Sequence, residues 1–330
     1  MQVIIPVAGR GTRLRPHTHT KPKPLVTVAG KPVLGHVLDT LGNLKLEEIT
    51  FIVGYLGEQI EDYVNNNYSF TARYLEQKEL KGQAHAIRLA EPYVDGPVLI
   101  IFVDTIANAD LNALTQLDAD GAIYVKEVDD PRRFGVVTLD EKGVISGFVE
   151  KPEQPVSNLA VIGIYYLRDA GMLFECINQL IERDIQTKGE FYLADALQLM
   201  VEQGSRLIAP TVNVWEDCGT PDALLQTNRY LLDTSSMSPA GGEMKNVVIV
   251  PPVNVNPSAD IENSVIGPYT TVAAGCRIEN SIIRDSIVDE GAVIGDTILH
   301  KSLIGKEAYV RGRYRRLNVG DSASIDFSYD

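Results

Sequence analysis

Arg13 and Lys23 stand where chemistry is easiest to build, beside backbone that can bind an anion. A β-branched run, Val3-Ile4-Ile5-Pro6-Val7, opens into Ala8-Gly9-Arg10-Gly11-Thr12-Arg13-Leu14-Arg15-Pro16. Lys23 follows in Lys21-Pro22-Lys23-Pro24-Leu25. Glycines let a chain close on a ligand and aim bare N–H groups at anionic oxygens. Ala8, Gly9, Gly11 and Thr12 therefore read as a phosphate cradle, with Arg13 and Lys23 adding full positive charge. The spacing is not that of a Walker loop, and Leu14 stands where a dinucleotide fingerprint needs its third glycine. A second chemical position is Asp104, directly after Ile100-Ile101-Phe102-Val103. A carboxylate at the end of a buried strand can hold Mg²⁺ through hard oxygen donors; it can equally be a cap or a loop residue.

The elements that must position these residues follow from hydrophobic periodicity. Over residues 1–233 short apolar runs (3–7, 49–53, 98–103, 122–125) alternate with amphipathic stretches (33–44, 56–65, 84–89, 111–117). This predicts an α/β, Rossmann-like unit with a mainly parallel sheet and helices on both faces. In such sheets ligands sit at the carboxyl ends of the strands, where Gly9 and Asp104 both fall. Residues 134–149 read as a hairpin turning at Asp140–Gly143, 161–167 as a strand, and 172–181, 191–201 and 221–232 as helices. Thr220 and Pro221 are suited to cap and start the last one.

Residues 234–245 are rich in Ser, Met, Pro and Gly and read as a linker. Beyond them aliphatic residues recur every five or six positions, from Val255, Ile261 and Ile266 to Ile304 and Val310. Longer units, Glu262-Asn263-Ser264-Val265-Ile266 and Glu279-Asn280-Ser281-Ile282-Ile283, start 17 residues apart. One inward aliphatic per short strand makes coils with three flat faces, which bury a continuous column when stacked. About three or four coils are expected over residues 246–312, followed by a polar tail, 313–330.

The 330 residues carry a net charge of −14, which disfavours nucleic acid and anionic membranes as main partners. Cys176, Cys218 and Cys276 have neither disulfide-framework nor zinc spacing, and no signal or membrane-length segment stands out. Both observations predict a cytoplasmic location. His17, His19, His36, His85 and His300 show no metal spacing and read as non-catalytic.

Gly9, Gly11, Thr12, Arg13, Leu14, Pro16, Thr18 and Lys23 resemble the signature of nucleoside-triphosphate:sugar-1-phosphate nucleotidylyltransferases, and the 246–312 repeat resembles the hexapeptide left-handed β-helix. The first resemblance extends in order through residues 1–233. It implies Mg²⁺-dependent transfer of a nucleotidyl group to a sugar-1-phosphate, with release of pyrophosphate. Arg13, Lys23, Asp104 and Asp217 are then the catalytic set, and Asp104 and Asp217 (in Trp215-Glu216-Asp217-Cys218-Gly219-Thr220) the metal ligands. Gln77, five residues before Gly82, would read a uracil or thymine edge, since an amide offers donor and acceptor together; on its own it reads as a surface glutamine. The sugar phosphate would meet Lys23, Gly135, Glu150, Lys151 and Gly163. Without the resemblance, Glu150-Lys151 reads as an exposed ion pair at a strand end. Glu190 and Asp195 match the family pattern as either substrate contacts or helix-capping residues. The chain departs from the family in Val103, where glycine usually precedes the aspartate, a change that would narrow the nucleoside pocket.

The pyrimidine implied by Gln77 favours dTTP or UTP, and glucose-1-phosphate is the first sugar expected. GTP with mannose-1-phosphate and UTP with N-acetylglucosamine-1-phosphate are alternatives. A non-catalytic regulatory subunit of the same fold would be expected to lack the charged residues present here. Acyl transfer by the coils would rest on His300 alone. The β-helix is expected to serve assembly into a homo-oligomer, or regulation.

Overall fold

The computed structural model describes residues 1–42, 44–234 and 243–312. The chain divides into two compact units, Met1–Leu231 and Leu232–Asp330. Most of the expected linker (235–242) and all of the expected tail (313–330) lie outside the described residues, while 243–245 form a strand.

The strands of the first unit are β1 (Gln2–Pro6), β2 (Thr27–Val28), β3 (Lys31–Pro32), β4 (Ile49–Val53), β5 (Ala72–Glu76), β6 (Val98–Ile101), β7 (Thr105–Ala107), β8 (Gly121–Glu127), β9 (Gly135–Leu139), β10 (Ile145–Glu150), β11 (Leu159–Leu167), β12 (Leu207–Ile208) and β13 (Trp215–Asp217). The helices are α1 (Val33–Thr40), α2 (Gly57–Asn67), α3 (Gln83–Arg88), α4 (Ala170–Glu182), α5 (Leu193–Glu202) and α6 (Pro221–Thr234). The main sheet runs β10-β9-β11-β6-β1-β4-β5, with β8 on β11 and β12 on β8. β1 pairs in parallel with β6 and β4, and β4 with β5. β11 lies antiparallel to β6, β8 and β9. The sheet is thus mixed, and its parallel half carries the glycine-rich loop.

Val3, Ile4, Ile5, Ile49, Phe51, Ile52, Leu99 and Ile100 are all fully buried. Neighbouring strand residues point to opposite faces, so both faces of this half are covered. Ile4, Ile52 and Ile100 share one core with Ile87 of α3, Ile177 of α4 and Leu197 of α5. Ile4 sits beside Ile100 in the β1–β6 register, which brings the loop after β1 and Asp104 after β6 to one edge.

Several elements differ from expectation. The stretch 111–117 forms a 3₁₀ turn at Asn112–Gln116 instead of an α-helix. The helix expected from Phe191 starts at Leu193, because the Phe191 N–H donates to the Lys81 carbonyl (2.9 Å) and its carbonyl accepts from Ala84 (2.9 Å). β6 ends at Ile101, although the next amide, that of Phe102, still donates to the Gly163 carbonyl of β11 (2.9 Å). Thr220 does cap α6, its hydroxyl accepting from the Ala223 N–H at 3.3 Å.

The second unit is a left-handed parallel β-helix. Among the described residues it has four complete three-strand coils, β14 (Glu243–Lys245), β15 (Val248–Ile249) and β16 (Val253–Val255), β17 (Asp260–Glu262), β18 (Val265–Ile266) and β19 (Thr270–Val272), β20 (Arg277–Glu279), β21 (Ile282–Arg284) and β22 (Ile287–Val288), and β23 (Val293–Gly295), β24 (Ile298–His300) and β25 (Leu303–Ile304); β26 (Tyr309–Arg311) begins a fifth. Its three sheets run β14-β17-β20-β23-β26, β15-β18-β21-β24 and β16-β19-β22-β25. Ile261, Ile278, Ile294 and Val310 stack in one register column. The inward aliphatics expected from the sequence fill its core, from Val255 at 2% exposure to Ile294 at 1%, with Leu299, Ile304 and Val310 packed against them. The spacing shortens from 17 residues (Ile261 to Ile278) to 16 (Ile278 to Ile294) while the column stays continuous. No helix among the described residues is long and apolar enough to cross a membrane.

Candidate active site

The loop after β1 turns at Gly11, whose φ of 60° and ψ of 35° place it in the left-handed region. A side chain there would also meet the Cβ of Lys23 at 2.8 Å, so the glycine lets Lys23 pack on the loop. The Gly11 carbonyl accepts from the Thr18 hydroxyl (2.8 Å) and from the Leu14 N–H (3.0 Å), and fully buried Leu14 anchors the turn. Gly9 has open space where a side chain would be. Ala8, Gly9, Gly11, Thr12, Arg13 and Lys23 line a cavity of about 390 Å³ together with Gln77, Gly82, Val103 and Asp104.

A second cavity of about 440 Å³ is lined by Gly135, Glu150, Lys151, Gly163 and Asp217, and again by Arg13 and Asp104. The two cavities are lobes of one cleft that share Arg13, Gln83, Phe102, Asp104 and Glu190. The residues expected to bind nucleotide, sugar phosphate or metal therefore each line one lobe or the other, and so does Glu190, whereas Asp195 lines neither.

Charges converge where the lobes meet. Lys23 Nζ lies 3.3 Å from Asp104 Oδ2. The short antiparallel pair β7–β13 sets Asp217 opposite Thr105, and the Cys218 N–H donates to the Asp104 carbonyl (2.8 Å). Asp217 Oδ1 accepts from the Gly219 N–H (2.7 Å), and its main-chain carbonyl accepts from the Thr227 hydroxyl (3.0 Å). A Cβ on Gly219 would stand 2.8 Å from Asp217 Oδ1 and 3.2 Å from an Arg13 guanidinium nitrogen, so these two side chains flank that glycine. Glu216, one residue earlier on the strand, does not line the cleft.

At the far end of the first lobe, Gln77 is 6% exposed, and its Nε2 donates to the Gly82 carbonyl at 3.2 Å. Gly82 has φ 109°, and a Cβ there would lie 2.5 Å from the Phe191 carbonyl oxygen. The glycine is thus required by main-chain packing as well as by room for a ligand. Gly82→Ala is expected to destabilise the fold by about 2–5 kcal/mol, from backbone strain and overpacking together. Urea denaturation of the variant checks this; a change below about 1 kcal/mol means the contact relaxes freely.

In the second lobe the β9–β10 register puts Glu150 opposite Gly135, with room for Glu150 only because residue 135 lacks a Cβ. Lys151 takes a positive φ of 46° and turns its Nζ to Glu150 Oε1 (3.2 Å) and to the Tyr192 hydroxyl (3.3 Å). Burial pushes the Glu150 carboxyl up, against the pull of Lys151. Gly163 lies where β11 bulges against β8, between Val161 and Tyr165, and its φ of 83° re-aims the strand beside Phe102. Sequence reasoning gave no role to Gln83, Phe102, Arg133, Trp215 or Tyr192, which also line the cleft. Only Trp215 had a signal, as part of the motif around Asp217.

The Nucleotidyl transferase family profile matches residues 2–234, and the GlmU-like C-terminal hexapeptide profile matches residues 234–302. The chain is 38% identical over 250 residues to the bifunctional protein GlmU of Methanocaldococcus jannaschii, covering 76% of this chain and 59% of that protein. It is 35% identical over 230 residues to the UTP–glucose-1-phosphate uridylyltransferase AglF of Haloferax volcanii, covering 67% of this chain and 93% of that one. A crystal structure of UDP-glucose pyrophosphorylase complexed with UDP-glucose aligns with a TM-score of 0.63 and 25% identity, over 71% of this chain and 99% of that one. The chain thus spans about three fifths of the length of its GlmU relative.

Proposed function

The chain belongs to the nucleotidyl transferase family, and on that footing we propose that it transfers the nucleotidyl group of UTP or dTTP to glucose-1-phosphate, releasing pyrophosphate. The observation that carries this reading is the two-lobed cleft with Arg13 and Asp104 at the junction, a glycine-rich loop in one lobe and Lys151 in the other. The names of AglF and of UDP-glucose pyrophosphorylase speak for UTP, that of a similar glucose-1-phosphate thymidylyltransferase structure speaks for dTTP, and all three support a glucose substrate.

In this mechanism the triphosphate lies in the first lobe, against the amides of Gly9 to Thr12 and the Arg13 guanidinium. Lys23 and Lys151 bring the sugar phosphate to the α-phosphorus. Its oxygen attacks in line; the new P–O bond forms as the α–β bridging bond breaks, and pyrophosphate leaves with the bonding electrons. No general base is required, because the attacking oxygen is already anionic; catalysis is positioning and charge stabilisation. Asp104 and Asp217 form a pair of hard oxygen donors at adjoining backbone positions, which suits Mg²⁺ with its remaining sites filled by water and phosphate. When bound there, Mg²⁺ would neutralise charge on the phosphates. We place this chemistry in a reducing compartment, in keeping with three buried free cysteines, and assign the β-helix to assembly or regulation.

Pyrophosphate release across UTP, dTTP, GTP and ATP with glucose-, N-acetylglucosamine- and mannose-1-phosphate tests the proposal. Turnover with UTP or dTTP and glucose-1-phosphate supports it. Preference for GTP with mannose-1-phosphate keeps the reaction and removes the substrate assignment, whereas no turnover in folded protein favours a regulatory subunit. Lys151→Met is expected to raise KM for the sugar phosphate about 10–100-fold, the loss of one charged hydrogen bond. The same steady-state measurement should leave KM for the triphosphate within threefold; equal changes in both would remove Lys151 from the sugar side.

A further inference from the structure

We propose that His85 is a positioning residue that fixes which end of the Gln77 amide meets the base, so that the site admits uracil or thymine and rejects cytosine. The inference rests on the reading of Gln77 as the base-facing residue. Gln77 Nε2 lies 3.2 Å from the Gly82 carbonyl oxygen and 3.2 Å from His85 Nδ1. A carbonyl can only accept, so the amide nitrogen, not the oxygen, must occupy that end. Its second hydrogen then points to His85, which accepts it only while Nδ1 is unprotonated. Burial, with the Lys81 and Arg88 charges, pushes His85 toward the neutral form, and Glu79 opposes this. Both amide hydrogens are thereby engaged inside the protein, and Oε1 is the group left to face a ligand.

An acceptor at that point pairs with the N3–H of uracil or thymine. Cytosine presents a bare N3, a second acceptor, and the two oppose each other in a buried site. Sites built to hydrogen-bond one group reject analogues that lack it far more strongly than apolar pockets reject size. His85 does not itself line the cleft; Gln83 and Ala86 of the same helix do. Its effect therefore passes through Gln77.

The test is the ratio of kcat/KM for UTP over CTP, with dTTP over dCTP as a second pair, in the wild type and in Gln77→Ala, His85→Ala, His85→Leu and His85→Asn. Removing the acceptor in His85→Ala or His85→Leu is expected to lower the ratio at least tenfold, since the amide can then turn. His85→Asn, whose Oδ1 stands near the position of Nδ1, should keep the ratio within threefold of wild type. A purely structural role for His85 would lower kcat/KM for both nucleotides alike and leave the ratio unchanged, which overturns the proposal even if one apolar variant fails to fold. If Gln77→Ala leaves the ratio unchanged, the reading of Gln77 itself is wrong. If Gln77→Ala collapses it and the His85 variants do not, only the role of His85 is lost.

Discussion

Arg13→Ala is expected to lower kcat/KM about 10²–10³-fold, the cost of losing one preorganised charge aimed at a developing anion. Arg13 lines both lobes of the cleft and flanks Gly219 beside Asp217. In the proposed reaction its fork would meet the triphosphate in the ground state and the charge that builds as pyrophosphate departs. Arg13→Lys keeps the charge but loses the two parallel N–H donors, so recovery should be partial. Steady-state kinetics on folded variants decide the matter. A fall of less than fivefold in Arg13→Ala would mean that the glycine loop and Lys23 hold the phosphates unaided.

Asp104→Asn and Asp217→Asn form the second large expectation. Each should reduce turnover about 10²-fold or more, as removal of a metal-ligating charge weakens transition-state stabilisation. Each should also move the Mg²⁺ dependence of activity to at least tenfold higher concentration. The two losses should not add, because in the proposed mechanism both residues would hold one ion. Asp104→Asn carries an extra consequence, since it leaves the Lys23 ammonium, 3.3 Å away, without its counter-charge. A variant in Asp217 makes the cleaner Mg²⁺ titration for that reason. An unchanged Mg²⁺ midpoint in Asp217→Asn would remove it from the metal site.

Local chemistry explains which parts could be read in advance. The cradle of Gly9, Gly11 and Thr12 and the position of Asp104 depend on residues close in sequence and on a strand ending, both visible as pattern. The aliphatic column of the β-helix was readable because each coil repeats the one before it. β5, by contrast, is Ala-Arg-Tyr-Leu-Glu, an edge strand with partial burial and no clear alternation, and only its pairing with β4 makes it a strand. β7 and β13 are three residues each, more than a hundred positions apart, and form because they meet. Helix starts failed where long-range bonds claim main-chain groups, as at Phe191. The cleft-lining residues Phe102 and Tyr192 carry no spacing signal, since an aromatic in a buried run reads as core. Their place in the cleft depends on the β11 bulge and on Lys151.

Three consecutive residues, Glu190 to Tyr192, carry a consequence for how the two substrates sense each other. Glu190 lines both lobes, the Phe191 main chain is bonded on either side of Gly82, and the Tyr192 hydroxyl meets Lys151. One short stretch of backbone therefore belongs to both binding events. In the proposed reaction a ligand in either lobe would restrict this stretch, and the second would meet a protein with less freedom left to lose. Linkage would then require any gain to be equal in either order of arrival, nucleotide and sugar phosphate raising each other's affinity by the same factor.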